Sequence, residues 1–142
     1  MRVMVMVKLT PGLEAAVKPT EELYAAMGKY NEELVNAGIM LSGEGLTPTD
    51  KGKVVHFKGT ERSVIDGPFA EAKEFIGGFW IWQVDSMEQA IDWAKRCPNP
   101  MGLESDLEIR PLQEMEDMPP EFTPELQAQE QQLRDRIEKN QQ

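Results

Sequence analysis

Asp66-Gly67-Pro68-Phe69 opens a polar run in which Glu71, Lys73 and Glu74 follow closely. A lysine set among carboxylates can have its proton affinity tuned for general acid/base work. The simpler reading of Asp66 is structural, because a carboxylate before Gly-Pro accepts hydrogen bonds from nearby backbone N–H groups and caps a turn. Phe69 then anchors the loop or lines a pocket. Glu44 is the second carboxylate of interest, since Gly43 and Gly45 on either side allow close backbone approach and re-aim its side chain; a bulge or strand-end turn explains the same glycines. His56, the sole histidine, is the side-chain type suited to proton transfer near neutral pH, although its position between Val55 and Phe57 also fits a cross-strand role. The candidate acid/base groups are therefore Asp66, Glu44, Lys73 and His56. Trp80 and Trp82 are the candidate pocket walls with Phe69, and stripes of this kind more often form core or subunit interface.

Other chemistries find no residues to carry them. One histidine and one cysteine supply no spaced metal-ligand set, and Cys97 also excludes an intrachain disulfide. Cys97 stands near a helix C-terminus, where the dipole disfavours a thiolate, so it is a poor nucleophile. Gly77-Gly78 lacks the spacing of a phosphate-binding loop and runs into a strand. No cofactor and no metal are expected.

The 142 residues carry 15 Lys and Arg against 25 Asp and Glu, a net charge of −10. Such a chain is repelled by phosphate backbones, which argues against nucleic acid as a direct partner. The apolar start from Met1 breaks at Lys8, too short for a membrane span or signal core. A cytoplasmic protein with no membrane association is the expectation.

The elements that must position these groups follow from periodicity. Residues 3–9 are apolar at odd positions and again at Met4 and Met6, as in a strand covered on both faces. Residues 10–19, with Pro11, Gly12 and Pro19, read as a loop. Thr20 caps a helix whose stripe is Leu23, Met27, Tyr30 and Leu34, ended by Gly38. Ile39-Met40-Leu41 restarts extended structure, interrupted at Ser42–Gly45. Residues 54–57 and 62–65 make a hairpin that delivers Asp66. A strand over 79–84 carries large apolar groups on both faces, Ser86 to Gln89 caps a second helix that Pro98 stops, and residues 107–110 alternate as a last strand.

The order β-α-β-(β-β)-β-α-β is a split βαβ pattern with an inserted hairpin, of the ferredoxin-like α+β class. Two helices cover one sheet face, leaving the other with Trp80, Trp82 or the methionines in water, an apolar patch that a homodimer would bury. The domain is expected to occupy residues 1–112. Residues 113–142 hold eight acids and three bases. Pro119-Pro120 marks a linker there, and Thr123-Pro124-Glu125 starts a helix running to near Lys139, either loosely docked or reaching to a second subunit.

Gly43-Glu44-Gly45-Leu46, Asp66-Gly-Pro-Phe-Ala-Glu-Ala-Lys-Glu74 and Gly77-Gly78-Phe79, in this order after a strand near Met1, resemble the DGPF branch of the YCII-related proteins over roughly residues 1–112. The resemblance implies a ferredoxin-like dimeric α+β barrel. It also implies two alternative roles: a cofactor-independent acid/base enzyme acting on a small cyclic or aromatic molecule, or a non-enzymatic regulatory protein associated with an extracytoplasmic-function sigma factor. Some YCII proteins have a proposed His/Asp pair on or near the first helix, and this chain has no histidine there.

Overall fold

In the computed structural model, which describes residues 1–69 and 71–142, the chain mixes helices with antiparallel strands. Ala70, inside the Asp66 run, lies outside the described residues. Two compact units are formed, Met1–Pro111 and Leu112–Gln142.

The first unit is built on a four-stranded sheet in the order β2-β5-β1-β6, from β2 (Met40–Gly45), β5 (Phe75–Gln83), β1 (Arg2–Leu9) and β6 (Asp106–Pro111). All its neighbours are antiparallel. This is the split βαβ topology of the ferredoxin-like α+β class. The inserted hairpin, β3 (Lys53–Lys58) and β4 (Glu61–Asp66), forms a separate two-stranded sheet.

Helix α2 (Glu21–Asn36) starts where the Thr20 hydroxyl accepts from Leu23 N–H, with Glu21 and Glu22 at the positive end of the dipole. It ends where Gly38 N–H returns to the Val35 carbonyl. Helix α3 (Met87–Lys95) begins at Ser86, whose hydroxyl accepts from Gln89 N–H while the Gln89 amide oxygen accepts from Asp85 N–H. Tyr30 and Leu34 of α2 and Ala90 of α3 pack onto one sheet face with Val3, Val5 and Val7 of β1, Trp80 and Trp82 of β5, and Val84.

Three local expectations change. Residues 10–19 are not all loop: α1 (Pro11–Ala16) forms because Thr10 caps it through Leu13 N–H and Pro11 occupies a first-turn position that needs no donor. Extended structure is not interrupted at Ser42, since β2 continues through Gly45 by pairing Gly43, Glu44 and Gly45 with Trp80, Phe79 and Gly78. Most consequentially, of the groups expected on the face away from the helices, the methionines lie there and Trp80 and Trp82 do not. The two tryptophans face the helices, with Trp82 fully buried. The register pairs Met4 with Ile81 and Met6 with Phe79, so these four side chains share the opposite face, outside the cluster under the helices, with Met6 buried and the other three half-buried. Both faces of β1 and β5 are apolar, so alternation alone leaves the sidedness open; the helix stripe decides it, because Tyr30 meets Trp80 edge-on at 6.2 Å between ring centroids.

The second unit contains helix α4 (Pro124–Asn140), capped by Thr123. Among the described residues no helix is long and apolar enough to cross a membrane.

Candidate functional site

The Asp66 run braces the base of the hairpin. Asp66 ends β4 and accepts a 2.6 Å hydrogen bond from Lys53 Nζ, an exposed ion pair between the first residue of β3 and the last of β4. Gly67 N–H donates to the Gly52 carbonyl at 2.9 Å. A Cβ at Gly67 would overlap the Thr49 carbonyl oxygen, so only glycine allows this approach. The short 3-10 turn Thr49–Lys51 is itself tied to α1, where Glu14 Oε1 accepts from Thr49 Oγ1 at 2.7 Å. The Gly67–Pro68 peptide is cis. The Phe69 ring lies over Gly52, 3.3 Å from where a Cβ on that glycine would stand, so Phe69 packs the loop closely against the turn.

The four proposed acid/base groups are spread over different elements. Asp66 and His56 stand on the exposed hairpin, His56 opposite Ser63; Lys73 is exposed between β4 and β5; Glu44 is on β2 of the other sheet. Among the described residues no hydrogen bond or ion pair joins any two of them.

The concave feature that does gather chemistry lies between α2 and the β2–β5 edge. It is a cleft of about 360 Å³, walled by Leu23, Tyr24, Met27 and Asn31 of α2, by Met40 and Gly43–Gly45 of β2, and by Gly77–Trp80 of β5. Trp80 lines it; Glu44 borders it, but pairs with Phe79 and so turns its side chain to the sheet face opposite Trp80, and Trp82 belongs to the core. Gly43 is required here by packing, since a Cβ would stand 2.8 Å from both the Trp80 indole and the Met40 methyl.

Asn31 is the polar group that the sequence reading passed over. Its Oδ1 accepts from Trp80 Nε1 at 2.9 Å. An indole N–H can only donate, so the amide oxygen must face it and the amide NH2 must point away. That NH2 has no partner among the described residues. Asn31 lies four residues after Met27 and three before Leu34, which places a polar residue on the apolar stripe; this was the available signal. The Glu44 carboxylate also makes no hydrogen bond or ion pair among the described residues. Tyr30, behind Trp80, is occupied structurally, donating its hydroxyl to the Trp93 carbonyl at 2.6 Å.

A second cleft holds Lys8, which sits between Glu74 at 3.6 Å and Glu108 at 3.5 Å. The Lys8 charge is thus compensated, and the cluster keeps one acid in excess. Among the described residues no group of three or more His, Cys, Asp and Glu could hold a metal ion.

Burial pushes the Cys97 thiol up to about 11 from an ordinary 9.0, and burial, reinforced by Cys97, raises the Tyr30 phenol above its usual range. In the unfolded chain the thiol proton leaves near 9 and in the folded chain near 11, so between these values the folded state holds more protons and stability falls as pH rises. The Tyr30 shift has the same sign from its ordinary 10.0 upward. Two results are expected. Thermal melts lose stability progressively above pH 9, and at pH 8 iodoacetamide alkylates Cys97 about a hundredfold more slowly in the folded than in the urea-unfolded protein.

Comparison with known proteins matches residues 1–115 to the model of the YCII-related domain. A protein of Rhizobium meliloti (strain 1021), described as uncharacterized, is 34% identical over 91 residues, which cover 64% of this chain and 70% of the relative.

Proposed function

The chain belongs to the YCII-related family, and from that premise we propose that its function is to bind a small, neutral, cyclic or aromatic carbonyl compound in the cleft between α2 and the β2–β5 edge. The observation that carries this reading is the Asn31 amide. Trp80 fixes its orientation, leaving two N–H donors in a largely apolar wall, and a few placed polar groups in an apolar cleft are the usual build of a small-molecule site. The volume suits one or two rings.

The register pairs Glu44 with Phe79, so its side chain stands on the sheet face opposite Asn31 and Trp80, and what we propose is binding alone. Asp66, Lys73 and His56 are not part of the cleft wall. The Asp66–Phe69 motif supports assignment to the DGPF branch and the single thiol supports a cytoplasmic setting. The chain also pairs with a second copy through the sheet face of Met4, Phe79 and Ile81, which stay half-buried around a buried Met6 and lie outside the helix-covered cluster.

Two substitutions test the placement of the ligand. Asn31→Leu is expected to weaken binding of an aryl ketone or lactone about tenfold in calorimetric titration, the value of one hydrogen bond. Glu44→Gln, on the other sheet face, is expected to leave binding within about twofold. Unchanged binding in Asn31→Leu contradicts the site, and an equal loss in Glu44→Gln contradicts the placement of the ligand on the Asn31 side.

A further inference from the structure

Three thioethers meet at the cleft beside Asn31. Met27 of α2, Met40 of β2 and Met101, ahead of β6, are half-buried, pack on the helix-covered core and line the cleft at the same time. They come from three separate segments of the chain, so sulfur borders the cleft on the helix, on the sheet and on the loop before β6. Met40 pairs with Trp82 and Gly43 with Trp80, which places Met40 on the face under the helices. Its methyl group and the Trp80 indole stand 2.8 Å from the same point, the place of a Cβ on Gly43.

Met27 precedes Asn31 by one helical turn, so it stands about 6 Å along the axis on the same side of α2. Helical side chains lean toward the N-terminus, so the Asn31 amide leans toward Met27. A carbonyl oxygen held by the Asn31 NH2 therefore brings an attached ring to the level of Met27. A thioether sulfur about 5 Å from an aromatic ring, often at the ring edge, is worth between roughly twofold and tenfold in affinity. A saturated ring of the same size makes no such contact. It carries at least as much apolar surface, so burial alone does not favour the aromatic ring.

We propose that Met27, Met40 and Met101 are the specificity-determining residues of this cleft, and that its ligand is an aryl carbonyl compound rather than a saturated cyclic one. The carbonyl accepts from Asn31, and the flat ring lies among the three sulfurs beside the Trp80 indole. Methionine is unbranched and has three rotatable bonds, so the same wall adapts to substituents on the ring. The inference rests on the ligand site proposed above and narrows its ligand class.

Calorimetric titration of the full chain with acetophenone and with cyclohexyl methyl ketone tests it. Wild type is expected to bind acetophenone about tenfold more tightly than the saturated ketone. Met27→Leu, Met40→Leu and Met101→Leu together conserve volume and apolar character. This triple variant, its fold verified by circular dichroism, is expected to lose about fivefold or more in acetophenone affinity and to hold the saturated ketone within about twofold of wild type. Wild-type chain labelled at the methionine methyl carbons gives a readout that needs no variant to fold. Saturating acetophenone is expected to shift the Met27, Met40 and Met101 signals upfield through the ring current, with Met115 and Met118 unmoved. Equal affinity for the two ketones, each weakened by Asn31→Leu, overturns the aromatic preference and leaves the site standing. A preference that survives unchanged in the triple variant, or three methyl signals that do not move, overturns the assignment to the methionines. Binding of neither ketone, or binding indifferent to Asn31→Leu, overturns the site and this inference with it.

Discussion

Gly67→Ala is expected to cost about 3 kcal/mol in urea unfolding, at the upper end of what a single added methyl does by overpacking. The added Cβ would overlap the Thr49 carbonyl oxygen and stand 2.7 Å from its carbon and 3.2 Å from the Gly52 oxygen. All three are backbone atoms, so no side-chain rotation relieves the clash. The chain must move, and with it the Gly67–Gly52 hydrogen bond and the Phe69 ring that packs over Gly52. Gly45→Ala is the matched control. It has nothing within 4 Å of the added carbon, and its cost should stay below about 1 kcal/mol. Equal losses in the two variants would show that Gly67 is not sterically required.

Trp80→Ala is expected to be costlier, about 3–5 kcal/mol, the range for removing a buried aromatic. Trp80 is 6% exposed and meets both Tyr30 and Trp82. Its removal also leaves the Asn31 oxygen without its donor, so the amide is free to turn over and the NH2 no longer has one direction. Ligand binding should therefore be lost even in the fraction that remains folded. Trp82→Phe is a useful contrast, because the Trp82 indole N–H is buried with no partner among the described residues. Phenylalanine there removes an unsatisfied donor while keeping most of the apolar volume, so its cost should be well below that of Trp80→Ala. Stability from chemical denaturation and ligand affinity from calorimetry check the two effects separately.

The fold was legible where one physical signal dominated. Thr20 with Leu23, Met27, Tyr30 and Leu34 specified α2, and the order of strands led to the split βαβ topology. Two kinds of information were missing. Helix α1 is six residues long, too short for a period of 3.6 to register, and only Thr10-Pro11 announces it. The sidedness of β5 depends on what packs against it, and both of its faces are apolar.

The site was less legible, for a related reason. Asp66 attracted attention through an unusual local motif, yet its role is local too: the partners of Asp66 and Gly67 are Lys53, Gly52 and Thr49 at the hairpin base. Asn31 has no local motif. It acquires meaning only through Trp80, 49 residues away, and a single asparagine on a helix otherwise reads as solvated.

The most direct test of the proposed function is a proton–nitrogen NMR titration of the full chain with a one- or two-ring aryl ketone. Binding at the cleft predicts saturable shifts of the Asn31 side-chain NH2 and the Trp80 indole N–H, with the hairpin amides around Asp66 unmoved. Saturable shifts confined to the hairpin, or none at Asn31 and Trp80 with any neutral cyclic carbonyl compound tried, would contradict it.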